Sequence, residues 1–296
     1  DANHMSVFPD AIEGTCYSFG NGYELQDDLA SGNGYWLRFP ESGSNGITGE
    51  SLSSVSTTLM TDWNLVSGPS DQISVDDTYD PEALIIPGTY YGFGNGYELT
   101  ETLEPGKGYW VRSVGPGSVT FGSARSGKIT TPFNSKLNNA SSISLNGSKL
   151  YFGVDIPEEN KLSYSLPPKP PTGSFDVRFT GGWKSVTDFG TIEIMNSSEI
   201  IHIDYNVVDE NLWILHNPLT QEDFILSGSG EIQISGNSEA LILSKNNKDD
   251  VPNAFTLNPA YPNPFNPSTQ ISYFVPGESM IDISVYDISG RLVETL

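Results

Sequence analysis

The seven letters FGNGYEL occur twice in this chain of 296 residues, at 19–25 and at 93–99, and each copy is followed by Gly-Tyr-Trp. The likeness extends over YSFGNGYELQDDLASGNGYWLRF and YGFGNGYELTETLEPGKGYWVRS, at a constant offset of 74. We call residues 17–39 the first copy and residues 91–113 the second copy. A period of this size is longer than a solenoid repeat, and it predicts a duplicated small domain.

Each copy has the pattern of strand, tight turn and strand, because Asn-Gly supplies the positive φ angles that hairpin turns require. In the Gly-Tyr-Trp strand, neighbouring side chains point to opposite faces, so one of the two aromatic rings is expected in the core. Tyr and Trp rings also suit stacking on sugar rings. Hairpin packing and saccharide binding therefore both stay open for six rings: Tyr23, Tyr35, Trp36, Tyr97, Tyr109 and Trp110.

The remainder of the chain also indicates strands. Thirty glycines and twenty prolines against four methionines are typical of many short extended segments separated by turns. From about residue 128, short alternating stretches recur at the intervals of a β-sandwich, interrupted by the proline-dense SLPPKPPTGSF at 165–175. The predicted fold class is all-β, with tandem Ig-like β-sandwich modules after duplicated N-terminal β-repeats.

Charge and composition exclude several classes of protein. Asp and Glu total 37 against 14 Lys and Arg, a formal charge of −23, whereas nucleic-acid binding requires clustered cations. No run of about 18 apolar residues is present, so no transmembrane segment is predicted. The single cysteine, Cys16, can form no intrachain disulfide and is expected to be buried.

No catalytic constellation is found, so the chain is not predicted to be an enzyme. Of the three histidines, His202 and His216 stand in strand-like stretches, and the Gly-x-Ser-x-Gly pattern is absent. No cofactor is expected apart from Ca²⁺, for which one acidic loop offers hard oxygen ligands. That loop lacks the EF-hand spacing, so a calcium site and a merely solvated loop both remain open for Asp71, Asp76, Asp77 and Asp80.

The last part of the chain resembles a known family. The motif consists of Tyr261, Pro262, Asn263, Pro264, Phe265, Asn266 and Pro267, and VYDISGR follows at 285–291. This sequence resembles the start of the C-terminal sorting domain of the type IX secretion system, which has an Ig-like fold. The resemblance implies export across the outer membrane of a Gram-negative, Bacteroidetes-like bacterium, with the secretion machinery as partner. The family's later strands lie beyond Leu296, so the domain is expected to be truncated.

Five parts are predicted along the chain. Residues 1–5 read as a cloning remnant at an initiator Met, and a strand like the one beginning at Trp63 has no counterpart before the first copy. The chain is therefore expected to begin inside a repeat. The predicted parts are the remnant 1–5, a partial first β-repeat 6–61, the second β-repeat 62–127, a β-sandwich 128–250 and the truncated sorting domain 251–296.

Two functions follow from these observations. The first is a non-catalytic stalk and sorting region of a secreted or cell-surface protein exported by the type IX system. The alternative is a carbohydrate-binding or adhesive module that directs an attached enzyme, or the cell, to a polysaccharide surface.

Overall fold

The computed structural model describes residues 2–44, 46–122, 133, 135–246, 256–257, 273–274, 281–282, 284–287 and 289–295. Strands make up 45% of the structure and helices 7%, which confirms the all-β prediction. Within these ranges, no helix is long and apolar enough to cross a membrane. The helical segments are α1 (His4–Val7) and three 3-10 helices, Val75–Asp77, Lys136–Asn139 and Glu158–Tyr164.

The N-terminal residues fold onto the first copy, although the sequence sets them apart as a remnant. The first five elements include β1 (Ala2–Asn3), α1, β2 (Tyr17–Phe19), β3 (Tyr23–Leu25) and β4 (Asp28–Leu29). β1 pairs with β4, and His4 is buried with its Nδ1 2.8 Å from the carbonyl oxygen of Asp27. This pairing is between distant residues, which local sequence patterns do not reveal.

The second repeat contains two main sheets, and one of them includes a strand, Val55–Leu59, that lies within the predicted first repeat 6–61. Its strands are β5 (Val55–Leu59), β6 (Asp62–Ser67), β7 (Ile73–Ser74), β8 (Thr78–Tyr79), β9 (Tyr91–Gly94), β10 (Gly96–Leu99), β11 (Thr102–Leu103), β12 (Gly108–Ser113) and β13 (Gly117–Phe121). One sheet has the order β10-β9-β12-β6 and the other β5-β13-β8. Leu59, Val111 and Phe121 are fully buried in the core of this repeat.

Both copies form hairpins at their Asn-Gly turns, as the sequence predicts. Phe19 pairs with Tyr23 between β2 and β3, and Phe93 pairs with Tyr97 between β9 and β10. Gly96 has a φ of +110°, a conformation that residues with a Cβ rarely adopt. The Asn-Gly turn of the second copy therefore requires glycine at position 96.

β6 connects the two copies because each of its edges pairs with a different one. On one edge it pairs with β12, where Leu65 lies opposite Trp110. On the other edge, the N–H of Gly34 donates to the carbonyl of Leu65 (3.0 Å) and the N–H of Ser67 donates to that of Gly32 (3.1 Å). Backbone pairing thus continues from the second copy through β6 into the first.

The next part of the chain is a β-sandwich of two five-stranded sheets. Its strands are β14 (Ser141–Leu145), β15 (Ser148–Phe152), β16 (Asp176–Phe179), β17 (Ser185–Val186), β18 (Phe189–Met195), β19 (Ile200–Asn206), β20 (Leu212–Asn217), β21 (Glu222–Leu226), β22 (Ser229–Ser235) and β23 (Ala240–Asn246). The sheet orders are β17-β15-β14-β19-β22 and β16-β18-β23-β20-β21. Phe152 and Trp213, one from each sheet, pack with ring centroids 4.5 Å apart in the buried core.

The repeats and the sandwich share one hydrophobic core. Tyr91 and Trp110 of the second copy belong to the same buried cluster as Phe152 and Trp213. Residues 1–245 accordingly form one compact unit, and residues 246–296 form another. Side-chain hydrogen bonds reinforce the junction: Asn95 Nδ2 to Asn146 O (2.6 Å), Tyr97 Oη to Pro168 O (2.6 Å), Arg112 Nη1 to Ser165 Oγ (2.7 Å) and Arg38 Nη2 to Thr172 O (2.5 Å).

The second unit contains two described strand pairs. β24 (Thr256–Leu257) pairs with β25 (Tyr273–Phe274), and β26 (Ser284–Tyr286) pairs with β27 (Leu292–Thr295). The carboxylate of Asp287 accepts hydrogen bonds from the backbone N–H groups of Ser289 (2.9 Å) and Arg291 (3.0 Å). Within the VYDISGR stretch, the aspartate therefore fixes the backbone of Ser289 and Arg291.

Candidate functional site

Four of the six rings singled out for saccharide contact pack across the interface between the two copies, namely Tyr23, Trp36, Tyr97 and Trp110. Tyr97, Tyr109 and Trp110 are buried, with exposures of 6%, 3% and 1%. Their first-copy equivalents are half-buried, namely Tyr23, Tyr35 and Trp36. Residues at equivalent sequence positions therefore differ in exposure.

The phenylalanine and tryptophan rings pack reciprocally across this interface. The centroid of Phe19 in the first copy lies 4.8 Å from that of Trp110 in the second, and Phe93 of the second lies 4.5 Å from Trp36 of the first. Both pairs meet edge to face, at 75° and 71° between ring planes. This arrangement favours contact between the positive edge of one ring and the negative face of the other.

The tyrosines make the same reciprocal contacts with the tryptophans of the other copy. Tyr23 lies 6.4 Å from Trp110, and Tyr97 lies 6.5 Å from Trp36, with ring planes at 83° and 84°. Burial raises the pKa of Tyr23 to about 12 and raises the pKa of Tyr97 further above its ordinary value. Both phenols are therefore neutral hydrogen-bonding groups at physiological pH.

The indole N–H groups show that this interface is packed for apolar contact. Nε1 of Trp36 and Nε1 of Trp110 are both buried; that of Trp36 faces the hydroxyl of Tyr23, and that of Trp110 has no hydrogen-bond partner among the described residues. A buried N–H without a partner costs free energy. Packing of the ring surfaces is thus the stabilising contribution of these two side chains.

The Gly-Tyr-Trp strand of the second copy buries both of its aromatic rings. Trp110 joins the core shared with the sandwich, whereas Tyr109, on the opposite face, joins the core of the second repeat. The sequence predicted one core ring per strand, and the second is buried because β12 is covered on both faces. The hydroxyl of Tyr109 accepts the N–H of Glu104 (2.8 Å), as that of Tyr35 accepts the N–H of Ala30 (2.9 Å).

An open cleft of about 860 Å³ lies beside this interface. Four of the six predicted rings line it, namely Tyr35, Trp36, Tyr109 and Trp110, whereas Tyr23 and Tyr97 do not. Tyr109 and Trp110 expose at most 3% of their surface, so the half-buried Tyr35 and Trp36 supply most of the aromatic lining. The six rings therefore do not form one flat, exposed binding platform.

The four aspartates of the predicted calcium loop are not brought together as a metal site. In the described parts of the chain, no group of three or more His, Cys, Asp and Glu side chains is placed to hold a metal ion. The carboxylate of Asp80 accepts the N–H groups of Leu84 and Ile85, both at 2.9 Å, and that of Asp77 accepts the N–H of Ser74 (3.2 Å). The other two aspartates of the predicted calcium loop are Asp71 and Asp76. These contacts support a structural use of Asp77 and Asp80.

The histidines occupy separate surroundings. His216 on β20 lies 2.7 Å, from Nδ1 to Oδ1, from Asp223 on the neighbouring strand β21. His202 is exposed on β19, in the other sheet of the sandwich, and its backbone N–H donates to Asn146 (2.9 Å). His202 and His216 therefore lie in different sheets and do not form one site.

A second cleft, of about 480 Å³, opens where the second repeat meets the sandwich, and we call it the junction cleft. Two half-buried tryptophans and several charged side chains line it: Asp62, Trp63, Arg112, Lys169, Arg178, Trp183 and Glu193. The sequence analysis assigned a ligand to none of these residues. They come from distant parts of the chain, so no local motif joins them.

Arg178 anchors the floor of the junction cleft. It is 3% exposed, and its Nε and Nη2 donate to Oδ2 (2.5 Å) and Oδ1 (3.0 Å) of Asp176. Its Nη1 donates to the carbonyl of Pro167 (2.7 Å). Since paired charges of this kind need well-defined geometry, Arg178 fixes the proline-rich segment against β16.

Residues Tyr261 to Pro267 of the sorting motif lie outside the described residues. Comparison of the sequence with known families tests the motif directly. Residues 259–296 match the family described as the secretion system C-terminal sorting domain. The match confirms the type IX resemblance and supports export through contact with that secretion machinery. It implies a secreted or cell-surface protein of a Bacteroidetes-type bacterium.

Neither of two further comparisons extends this finding. No curated protein matches the chain, and no solved structure matches it. The family match lies within the second compact unit, so the role of residues 1–245 rests on their own geometry.

Proposed function

We propose that this chain is the non-catalytic C-terminal region of a protein exported by the type IX secretion system. Residues 2–245 serve as a rigid stalk, and the domain that includes residues 259–296 is read by the secretion machinery. The family match supports the sorting role. The stalk role is supported by a single observation, the hydrophobic core that the repeats share with the sandwich.

A shared core makes a stiff connection. Independent domains joined by linkers move relative to each other, whereas elements that bury one continuous core resist bending. Trp110 is 1% exposed in that core, and Tyr97 bonds through its hydroxyl to the carbonyl of Pro168. A spacer that holds exported cargo at a distance requires this kind of rigidity.

The alternative, polysaccharide binding through the repeated rings, is less well supported by the geometry. Phe19 and Phe93 meet the tryptophan rings edge to face and so occupy surface that a sugar would need. We therefore assign Tyr23, Trp36, Tyr97 and Trp110 to the interface between the copies. Tyr109 belongs to the core of the second repeat, and Tyr35 accepts a hydrogen bond from Ala30 within the first copy.

Calorimetry of the full chain tests the stalk role. Because the core is shared, we expect residues 2–245 to melt in one transition, and Trp110→Ala to lower the melting temperature of the repeats and the sandwich together. Phe189→Ser, at a side chain that is 62% exposed, is the matched control and should change it little. Separate melting of the repeats and the sandwich would contradict a rigid stalk.

Export is tested by fusing a reporter enzyme to the N-terminus of the chain, and the later strands of a sorting domain of the same family to its C-terminus, in a bacterium that has the type IX system. Deletion of residues 259–296, or loss of the machinery, should keep the reporter inside the cell. A reporter exported equally without residues 259–296 would refute the sorting role. Turnover of any substrate by the chain itself, lost on a single polar substitution, would refute the non-catalytic assignment.

A further inference from the structure

The junction cleft combines the groups that recognise sugars. Trp63 on β6 and Trp183, in the turn before β17, are both half-buried and line the cleft. Indole rings offer apolar surface to the C–H groups of a pyranose ring, while nearby charged groups can bond its hydroxyls. A cation lies over each ring: Cζ of Arg112 is 5.7 Å from the centroid of Trp63, and Nζ of Lys161 is 5.1 Å from that of Trp183. A sugar would therefore contact the parts of the two rings that these cations leave open to the cleft. Apolar rings and polar groups thus meet in one opening of about 480 Å³.

The turn that carries Trp183 depends on two glycines. Gly181 and Gly182 have φ angles of +87° and +79°, which residues with a Cβ rarely adopt. A Cβ at Gly181 would lie 2.9 Å from Nε1 of Trp183. The backbone therefore favours glycine where this tryptophan is presented to the cleft.

Cations with spare donors lie at the rim. Nζ of Lys169 is 2.6 Å from Glu193, and Nε of Arg112 is 2.7 Å from Asp62. An ammonium has three N–H groups and a guanidinium has five, so these ion pairs leave further donors for a ligand. The paired carboxylates can accept hydrogen bonds from sugar hydroxyls.

The charge of the lining differs from that of the chain. Three cations line the cleft, and each is paired with one carboxylate, so that the group is neutral: Arg112 with Asp62, Lys169 with Glu193 and Arg178 with Asp176. Overall the chain carries 14 basic and 37 acidic side chains. An anionic group therefore meets less repulsion here than on an average part of this surface.

We propose that the junction cleft binds an acidic saccharide, whose sugar rings pack against Trp63 and Trp183 and whose carboxylate pairs with Arg112 and Lys169. This function goes beyond the stalk role, and neither depends on the other. Arg178 is already bidentate with Asp176 and acts as a positioning residue beneath the ligand. A stalk with such a cleft would hold exported cargo against a uronate-containing polysaccharide.

Isothermal titration of the full chain with trigalacturonate, and with the neutral trimer of galactose, tests the proposal. The buffer is free of calcium, so that metal bridging of carboxylates does not contribute. We expect the acidic trimer to bind and the neutral one to bind at least about tenfold more weakly, the ratio expected for loss of a charged contact.

Two variants locate the site. Trp183→Ala should abolish binding, and Lys169→Gln should weaken it about tenfold. Lys107→Gln is the matched control, because Lys107 forms a similar exposed ion pair with Glu104 (2.7 Å) and does not line the junction cleft. If Trp183→Ala fails to fold by circular dichroism, Lys169→Gln and its control still decide the question.

Three outcomes would overturn the proposal. Binding of neither trimer removes the site, and equal binding of both removes the acidic class. Binding of the acidic trimer that survives Lys169→Gln unchanged places the ligand elsewhere on the molecule.

Discussion

Truncation of the two equivalent tryptophans provides the sharpest test of the interface between the copies. Trp110 is 1% exposed and meets Phe19 at 4.8 Å, with Tyr23 and Trp63 both at 6.4 Å. Removal of a fully buried tryptophan costs about 3–5 kcal/mol of unfolding free energy, including the cavity that is left. We expect Trp110→Ala to fall in this range.

Trp36 has the same number of ring neighbours but more exposed surface. Its centroid is 4.5 Å from Phe93, 6.5 Å from Tyr97 and 6.4 Å from Tyr23, and the side chain is half-buried. The ring pairs are each worth about 0.5–1.5 kcal/mol, whereas the burial contribution is smaller than at Trp110. We expect Trp36→Ala to cost about 2–3 kcal/mol.

Guanidinium chloride unfolding, followed by far-ultraviolet circular dichroism, measures both losses. An unchanged m value would show that the variants alter stability and not the extent of unfolding. Trp110→Phe is the control, since it keeps a ring and removes the unpaired indole N–H, and we expect it to cost about 1 kcal/mol. A loss at Trp36 equal to or larger than the loss at Trp110 would refute the assigned difference in burial.

Three further predictions use other pairs of groups. Tyr109→Phe should cost about 1–2 kcal/mol in denaturant unfolding, because it removes the acceptor of the Glu104 N–H on a ring that is 3% exposed. Tyr35→Phe should cost less, because that ring is half-buried and water can replace its hydroxyl. Equal costs would contradict this. Burial lowers the pKa of Lys184 to about 8, so the unfolded chain binds more protons than the folded chain above that pH. From pH 8 to pH 10 the wild-type chain should therefore gain about 2 kcal/mol of stability relative to Lys184→Met, since both chains share the opposing effect of the buried tyrosines. An equal pH dependence of the two chains would contradict this. Asp80→Ala should lower the melting temperature, whereas EDTA should leave it unchanged; a fall with EDTA would restore the calcium hypothesis.

The sequence was sufficient for local structure and for the sorting domain. Alternating residues around Asn-Gly turns predict hairpins because these turns depend on only two residues, and both hairpins are present. The sorting motif is likewise a continuous stretch, and the family match confirms it. Both features are encoded over short distances along the chain.

Features formed by distant residues could not be predicted in this way. Strand alternation places Tyr109 and Trp110 on opposite faces, but it does not show that layers cover both. The junction cleft likewise depends on β6, β12 and β16 reaching one place, and Trp63 and Trp183 are 120 positions apart. Both faces of the Gly-Tyr-Trp strand are covered in the second copy, so its two rings are buried, whereas the equivalent rings of the first copy are half-buried.

Duplication itself explains the aromatic pattern. In a symmetric dimer, a surface patch can bind its own copy when residue i meets residue j and j meets i. The two copies reproduce this condition within one chain, since Phe19 packs on Trp110 while Phe93 packs on Trp36. One patch that complements itself needs only to be copied to generate both sides of an interface. The repeated phenylalanine and tryptophan of the two copies are therefore accounted for by packing between the copies.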